Sequence, residues 1–207
     1  MSGLNGDPEL EGDGIRLVPV TAAHVAELRR ILSTPEVRLR WGDEASSPQW
    51  PFDDPSSVRF AVLVDAAVKG MIQYSEEESP MYRHASIDVF LDPSVHGRGV
   101  GRDAVATLAR YLLHDRGHHR LVIDPAVDNE PAIRCYAAVG FRPVGVMRRY
   151  EHDVDGAGWH DGLLMDLLAE DLDPPSQGTG RRSDQSARRT TVAAVRPPST
   201  RNSDPVQ

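Results

Sequence analysis

Residues 95–102 read VHGRGVGR and place three glycines and two arginines between a strand-like run and a helix-like run. Backbone N–H groups at the start of a helix bind anions, and glycine residues leave such groups unobstructed. Arg98 and Arg102 could add positive charge around a pyrophosphate. The same residues would equally serve as a flexible turn from strand to helix, so the stretch alone leaves both interpretations open.

Two familiar nucleotide-binding patterns do not fit this loop. A dinucleotide-binding G-x-G-x-x-G motif would need glycine where Arg102 stands. A P-loop needs Lys followed by Ser or Thr, and the chain contains no such pair. A phosphate site at this loop would therefore belong to another structural context.

Acidic residues follow or interrupt three strand-like segments. Glu76, Glu77 and Glu78 end the first segment, Asp88 lies within ASIDVFL, and Asp124 ends the third. A carboxylate that points into an apolar core costs free energy, so Asp88 is expected to be paired or to line a cleft. Several carboxylates that converge on one cleft would suit a polycationic amine.

The charge of the chain is unevenly distributed. The formal net charge is −8, but residues 1–172 hold 17 basic and 28 acidic residues, whereas residues 173–207 hold six arginines and three aspartates. An acidic body favours cationic small molecules over nucleic acid, whose backbone is bound by Lys and Arg. Plain solubility would explain the same acidic excess. We expect no nucleic-acid partner.

Simple features exclude several other classes of protein. No apolar run approaches the ~20 residues of a membrane span, and the N-terminus lacks the basic and apolar parts of a secretory signal. The single cysteine, Cys135, excludes an intramolecular disulfide framework and a Cys-rich zinc site. The histidines lack the spacing of a helical metal pair, so we expect no metal. The expected location is the cytoplasm, with no membrane partner.

Composition and periodicity divide the chain into one domain, residues 14–172, and two flanking segments. Residues 1–13 and 173–207 have little to bury and are predicted to be disordered. Periodicity predicts strands over residues 15–20, 58–64, 69–76, 83–91, 120–124, 141–147 and 163–168. Helices are predicted over residues 21–33 (capped by Thr21), 101–114 and 131–139, with residues 34–57 irregular. This alternation predicts an α/β domain with a mixed sheet and helices on its faces.

A second pattern follows the glycine-rich loop. Residues 129–141 read NEPAIRCYAAVGF, which fits N-x-x-A-x-x-x-Y-x-x-x-G-F. Together with HGRGVG at residues 96–101, this resembles the acetyl-CoA-binding motifs of the GNAT superfamily of N-acetyltransferases. The likeness implies the GNAT fold, a mixed and mostly antiparallel central sheet with helices on both faces and splayed strands at the acetyl-CoA site. His96 departs from the Gln or Arg that the family has at this position.

The resemblance also implies how acetyl-CoA, the co-substrate, would be held. The loop amides would bind the pyrophosphate, the backbone at the end of strand 83–91 would bind the pantetheine arm, and Asn129 would touch that arm. Tyr136 would face the thioester sulfur as general acid, although an ordinary packing tyrosine is the alternative. The implied cofactor-binding residues are Phe90, Leu91, His96, Gly97, Arg98, Gly99, Val100, Gly101, Arg102 and Asn129.

A narrower likeness concerns the substrate. The stretches EEESPMYRHASIDVFL and IDPAVDNEPAIRCYAAVGF resemble aminoglycoside 6′-N-acetyltransferases. This implies that Asp88 binds the reacting amine and accepts its proton, and that Asp124 binds an amine of the substrate. Trp41 and the three carboxylates at Glu76, Glu77 and Glu78 would complete the site. The implied reaction is direct attack of a small cationic amine in a ternary complex, by a monomer or a homodimer.

Two other functions stay open at this point. Siderophore-type lysine N-acyltransferases share much of the same pattern. A CoA-binding sensor module that keeps the fold without the chemistry is disfavoured, because a degenerate site need not retain both Asp88 and Tyr136. Cys135 has no obvious base partner, so we interpret it as a core residue rather than a nucleophile.

Overall fold

An eight-stranded sheet runs through the domain. The computed structural model describes residues 7–42, 47–154 and 156–172. Its strands are β1 (Leu10–Glu11), β2 (Arg16–Pro19), β3 (Ser57–Val64), β4 (Ala67–Glu77), β5 (His84–Leu91), β6 (Arg120–Ile123), β7 (Arg142–His152) and β8 (Trp159–Leu168). Their order across the sheet is β1-β2-β3-β4-β5-β6-β8-β7, and all neighbours are antiparallel except β5 and β6. The predicted mixed, mostly antiparallel sheet is confirmed.

Helices cover both faces of this sheet. They are α1 (Val25–Leu32), α2 (Pro35–Trp41), α3 (Val100–Arg110, continued by a π-helical turn at Tyr111–Asp115), α4 (Glu130–Val139) and α5 (Ala169–Leu172). Leu108 of α3 and Tyr136 of α4 share a buried cluster with Ile87 of β5. Leu28 of α1 packs with Phe90 of β5 in a second cluster, on the other face of the strand. Within the described residues, no helix is long and apolar enough to cross a membrane.

The parallel strands β5 and β6 separate towards their carboxyl ends. Two residue pairs join them, Ala85 with Leu121 and Ser86 with Val122. Past these pairs β5 continues along β4 on its other edge, while β6 bonds to β8. The splayed strands implied by the family resemblance are therefore present, and they leave an opening in the middle of the sheet.

Most predicted elements are confirmed, with shifts at their ends. α1 begins at Val25 rather than at Thr21, because the Thr21 backbone N–H donates to the His24 ring over 3.1 Å in a separate turn. β7 continues to His152 and β8 begins at Trp159, so both strands are longer than predicted. β7 is exposed along nearly its whole length, and an exposed strand carries no clear alternation of apolar residues.

The helix α2 lies in the segment that was expected to be irregular. It follows Thr34, which is extended, and Pro35 occupies its first turn, an arrangement that favours the start of a helix. Val37 is its one fully buried residue. Such a short helix gives too few apolar positions to be recognised by periodicity.

The domain also begins earlier than predicted. Leu10–Glu11 form β1 beside β2, and Leu10 packs against the main core cluster. The backbone N–H of Asp13 donates to the Asp103 carboxylate of α3 over 2.9 Å. The prediction of disorder is therefore wrong for residues 10–13, because these contacts hold them on the domain. The remaining disorder prediction falls mainly on residues 1–6 and 173–207, which lie outside the described residues.

Candidate active site

Two cavities meet at the opening between β5 and β6. The first, the loop cavity, has a volume of about 590 Å³ and is lined by His96, Gly97, Gly99, Gly101 and Arg102, among others. The second, the acidic cavity, has a volume of about 540 Å³ and is lined by three carboxylates, those of Asp88, Asp124 and Glu151, among others. Five residues line both cavities: Arg40, Trp41, Val89, Asn129 and Tyr136.

The glycine-rich loop exposes its backbone at the start of α3. Gly97 and Gly99 have φ angles of 69° and 84°, which favour glycine, and Gly99 is the N-cap of the 11-residue helix α3. Apart from the glycine itself and its two neighbours in the chain, no heavy atom lies within 4 Å of the position that a Cβ would take at either glycine. The first amides of α3 are therefore open to an anion, as expected for a pyrophosphate site.

Not every predicted cofactor residue lines the loop cavity. Phe90 and Leu91 do, at the end of β5, together with Asn129. Arg98 is exposed and lies outside the described lining, and Val100 is buried in the core below it. Val100 can contribute only its backbone N–H group, whereas the backbone N–H of Arg98 already donates to the Val95 carbonyl over 3.4 Å.

His96 connects the glycine-rich loop to the sheet. Its ring Nε2 lies 3.0 Å from the backbone carbonyl of Leu91. A carbonyl oxygen only accepts hydrogen bonds, so this ring nitrogen must carry the proton. The histidine thus anchors the loop to the end of β5, which gives a physical reason for the residue that departs from the family pattern.

Tyr136 lies where the two cavities join. Burial raises the pKa of its phenol above the usual range, and the nearby thiol of Cys135 and carboxylates of Asp88 and Asp124 raise it further. The hydroxyl therefore keeps its proton at neutral pH and is suited to donate it. The ring also packs 6.3 Å from that of Phe141, centroid to centroid, so packing and access to the cavities are combined in one side chain.

Asn129 has a structural role as well as a place in both cavities. Its Oδ1 accepts a hydrogen bond from the backbone N–H of Ala132 over 3.4 Å and caps α4. Its amide NH₂ group is the part that would contact a bound cofactor. Cys135 lines the loop cavity half-buried, and burial raises the pKa of its thiol. That shift agrees with the interpretation that Cys135 is not a nucleophile.

Asp88 lines the acidic cavity from the middle of β5. The side chain of Gln73, directly opposite on β4, donates to its Oδ2 over 3.3 Å. Burial raises the pKa of Asp88, and the carboxylates of Asp124 and Glu151 raise it further, against the effect of the Gln73 hydrogen bond. A carboxylate with a raised pKa is a better proton acceptor than an ordinary aspartate.

The hairpin of β7 and β8 supplies a wall of the acidic cavity that the sequence did not reveal. Tyr150 interacts with the Asp124 carboxylate, and this contact together with burial raises the pKa of Tyr150 to about 12. Glu151 and His160 are directly opposite each other on the two strands, and His160 Nε2 lies 3.2 Å from Glu151 Oε2. Neither residue belongs to a recognisable motif, so only the pairing of the strands brings them to the site.

The structure does not bring the glutamates at the end of β4 into either described cavity lining. Glu76 instead bonds to Arg116 over 2.7 Å and to the buried ring of His118 over 2.6 Å. Because β4 and β5 are antiparallel, Glu76 lies opposite Ala85 at the start of β5, away from the opening. The sequence predicted that these glutamates converge with Asp88, but the antiparallel pairing of β4 and β5 places Glu76 beside the start of β5 instead.

Helix α2 covers the junction of the cavities. The ring of Trp41 packs edge-on against Phe90 with centroids 5.0 Å apart, which fits its predicted place in the cleft. Arg40 Nη1 bonds to Asp128 Oδ1 over 2.6 Å, across to the loop before α4. These contacts make α2, absent from the predicted elements, part of the site.

The described residues fit acetyl-CoA. The opening in the sheet, the free space at Gly97 and Gly99 and the loop cavity suit a thioester with a pyrophosphate. Among the described residues, no group of three or more His, Cys, Asp or Glu side chains could hold a metal ion.

Two mycobacterial proteins share sequence with part of the chain. An uncharacterised protein of Mycobacterium leprae is 35% identical over 87 residues, 42% of this chain and 22% of that protein. The N-alpha-acetyltransferase RimI of Mycobacterium tuberculosis is 34% identical over 79 residues, 38% of this chain and 47% of that protein. The matched region thus spans less than half the length of either relative.

Solved structures share the fold. The structure of AAC(6')-Ib in complex with paromomycin and acetyl-CoA superimposes with a TM-score of 0.66 at 20% identity, over 81% of this chain and 100% of that one. The model of the acetyltransferase (GNAT) family matches residues 25–141, which include the opening, the glycine-rich loop and α4. The chain therefore belongs to the GNAT family of acetyltransferases.

Proposed function

We propose that the protein is an acetyl-CoA-dependent N-acetyltransferase whose substrate is a primary amine of a small polycationic molecule, of which an aminoglycoside is the example. The observation that carries this proposal is the position of Tyr136, which lines both the loop cavity and the acidic cavity. A proton donor at that junction is within the reach of groups held on either side.

The chain's own residues divide the chemistry between them. Bound acetyl-CoA supplies a thioester, and the open amides at Gly97 and Gly99 support its pyrophosphate. Asp88 accepts the proton that an ammonium must lose to become a nucleophile. Tyr136 holds a proton for the leaving thiolate, and backbone N–H groups at the end of β5 can polarise the acetyl carbonyl.

The charge of the acidic cavity supports a polycationic substrate. Three carboxylates, those of Asp88, Asp124 and Glu151, line a space of about 540 Å³. A single ammonium would leave two of these groups without a cationic partner from the substrate, whereas a polyamine can approach several of them. AAC(6')-Ib is a precedent of the same fold that was solved with an aminoglycoside. A cytoplasmic location and a monomeric or homodimeric state are part of the same proposal.

A thiol-release assay with acetyl-CoA tests the proposal directly. The amines are kanamycin, spermidine, N-hydroxylysine and a short peptide with a free α-amine, all at the same concentration. We expect kcat/KM to be highest for kanamycin, because it presents several ammonium groups to the acidic cavity. Asp88→Asn should reduce turnover, and Glu78→Gln, which changes an exposed carboxylate outside the described cavity lining, should not.

Each other outcome would overturn a defined part of the proposal. Preference for the peptide would indicate an N-alpha-acetyltransferase, as the name of the Mycobacterium tuberculosis relative suggests. Preference for N-hydroxylysine would indicate a siderophore-type acyltransferase. Tight binding of CoA without turnover of any amine would indicate a sensor module.

A further inference from the structure

The side chain of His160 is held between two carboxylates at the wall of the acidic cavity. Its Nδ1 lies 3.0 Å from Asp153 Oδ1 and its Nε2 lies 3.2 Å from Glu151 Oε2. An ionised carboxylate only accepts hydrogen bonds, so each contact requires a proton on the ring nitrogen involved. Both hydrogen bonds exist together only when the ring is the doubly protonated, positively charged imidazolium.

Charged groups from several elements lie near this ring. Glu151 belongs to β7, Asp153 follows it in the turn, and Asp128 lies in the loop before α4, where the hydrogen bond from Arg40 and, to a smaller extent, the charge of His160 lower the pKa of Asp128. Arg40 of α2 is paired with Asp128. Asp88 and Asp124 share the cavity with His160.

We propose that His160 sets the effective charge of the acidic cavity and thereby its preference between amines with one and with several positive charges. This inference rests on the proposed function, and it adds a specificity-determining residue to it. When charged, His160 compensates Glu151. When neutral, the ring has one N–H and can donate to only one carboxylate, so the cavity becomes more negative by one unit.

The size of the effect follows from Coulomb's law. One unit of charge about 8 Å from a second ammonium, at an effective dielectric constant of about 40, changes the affinity for that ammonium about fivefold. A molecule with one positive charge has no second ammonium to present to this wall and should respond less. The ratio of the two affinities therefore reports on His160.

Quaternary ammonium ions provide the test, because their charge does not change with pH. The dissociation constants of tetramethylammonium and of hexamethonium, which carries two such groups, are measured by calorimetry on the CoA-bound protein between pH 5.5 and 8.5. We expect the preference for hexamethonium to rise about fivefold with pH in the wild type. His160→Gln should show the high preference at every pH, whereas Glu151→Gln, which removes one negative charge and keeps the histidine, should lower the preference at each pH and keep its rise.

Control variants test whether the pH dependence comes from His160 and the two carboxylates that it contacts. Glu78→Gln changes an exposed carboxylate elsewhere and should keep the pH dependence of the wild type. A constant preference in the wild type, or the same pH dependence in His160→Gln, would overturn the inference. If His160→Gln does not fold, His160→Asn is measured in its place: loss of the pH dependence supports the inference, and its persistence overturns it. Because binding is measured without turnover, failure here is distinct from failure of the proposed acetyl transfer.

Discussion

The loop cavity and the acidic cavity are built in opposite ways. The loop cavity is lined by a short stretch of the chain, with glycine at Gly97 and Gly99, where the φ angle is positive. The acidic cavity depends on side chains from strands far apart in the chain, among them Asp88 and Glu151. A site made of backbone leaves a local pattern in the sequence, whereas a site made of side chains depends on which strands become neighbours.

The carboxylates of Glu76 on β4 and Asp88 on β5 also show how strand pairing decides the environment of a side chain. Glu76 at the end of β4 satisfies Arg116 and His118, whereas Asp88 in the middle of β5 faces a cavity. In the sequence both are acidic residues within or at the end of an apolar strand. Their different environments follow from the antiparallel pairing of the two strands.

The largest expected effect comes from Tyr136, which belongs to both cavities. Tyr136→Phe should lower kcat by about 10²-fold or more if the phenol protonates the leaving thiolate. The KM values for acetyl-CoA and the amine should change little, because the ring still fills the same space. Steady-state kinetics on this variant, with the exposed Tyr82→Phe as control, would contradict the assignment if kcat were unchanged.

Asp88 should give the next largest effect, confined to the amine side. Asp88→Asn should lower kcat/KM for the amine by about 10–100-fold and leave CoA binding unchanged. In the wild type the rate should rise with pH as Asp88 loses its proton, at a pH above the ordinary aspartate range of about 3.9 because its pKa is raised. Retention of that rise in Asp88→Asn would exclude Asp88 as the proton acceptor.

Gly99 should give a smaller effect, confined to the cofactor side. The φ angle of 84° disfavours a residue with a side chain by about 1–2 kcal/mol. Gly99→Ala should therefore weaken CoA binding about tenfold, measured by calorimetry, without changing the KM for the amine. Gly145→Ala, at another glycine with open space around it, is the control. Equal losses in both variants would show that the loop conformation is not responsible.

The smallest effect on activity is expected at Glu76, where the change should appear in stability. Glu76→Gln weakens the charge-assisted contacts with Arg116 and His118 and should lower the free energy of unfolding by about 1 kcal/mol, measured by urea denaturation. The kcat/KM for the amine should stay within about twofold. A rise in the KM for the amine without loss of stability would restore Glu76 to the substrate site.

The sequence predicted the features that are formed by residues close together in the chain. The order of most elements, the glycine-rich loop and the spacing between Asn129, the N-cap of α4, and Tyr136 within α4 all follow from short patterns. The hydrogen bond of His96 also joins residues close in the chain, since its partner is the backbone carbonyl of Leu91. The residue type alone did not predict that hydrogen bond.

The parts that could not be predicted depend on strand pairing. Gln73 reaches Asp88 because β4 and β5 pair in that register, and Glu151 meets His160 because β7 turns back along β8. β7 is exposed on both faces, so its length had no apolar pattern to reveal it. The substrate side of the site was therefore found only in part.

The most direct test of the account is a comparison of kcat/KM for kanamycin with that for a monoamine of similar basicity, in the wild type and in Asp124→Asn. Asp124 lines the acidic cavity and is not among the described residues that line the loop cavity. We expect a preference for kanamycin of at least about tenfold in the wild type, reduced several-fold in Asp124→Asn with CoA binding unchanged. Equal kcat/KM values for the two amines in the wild type would contradict it.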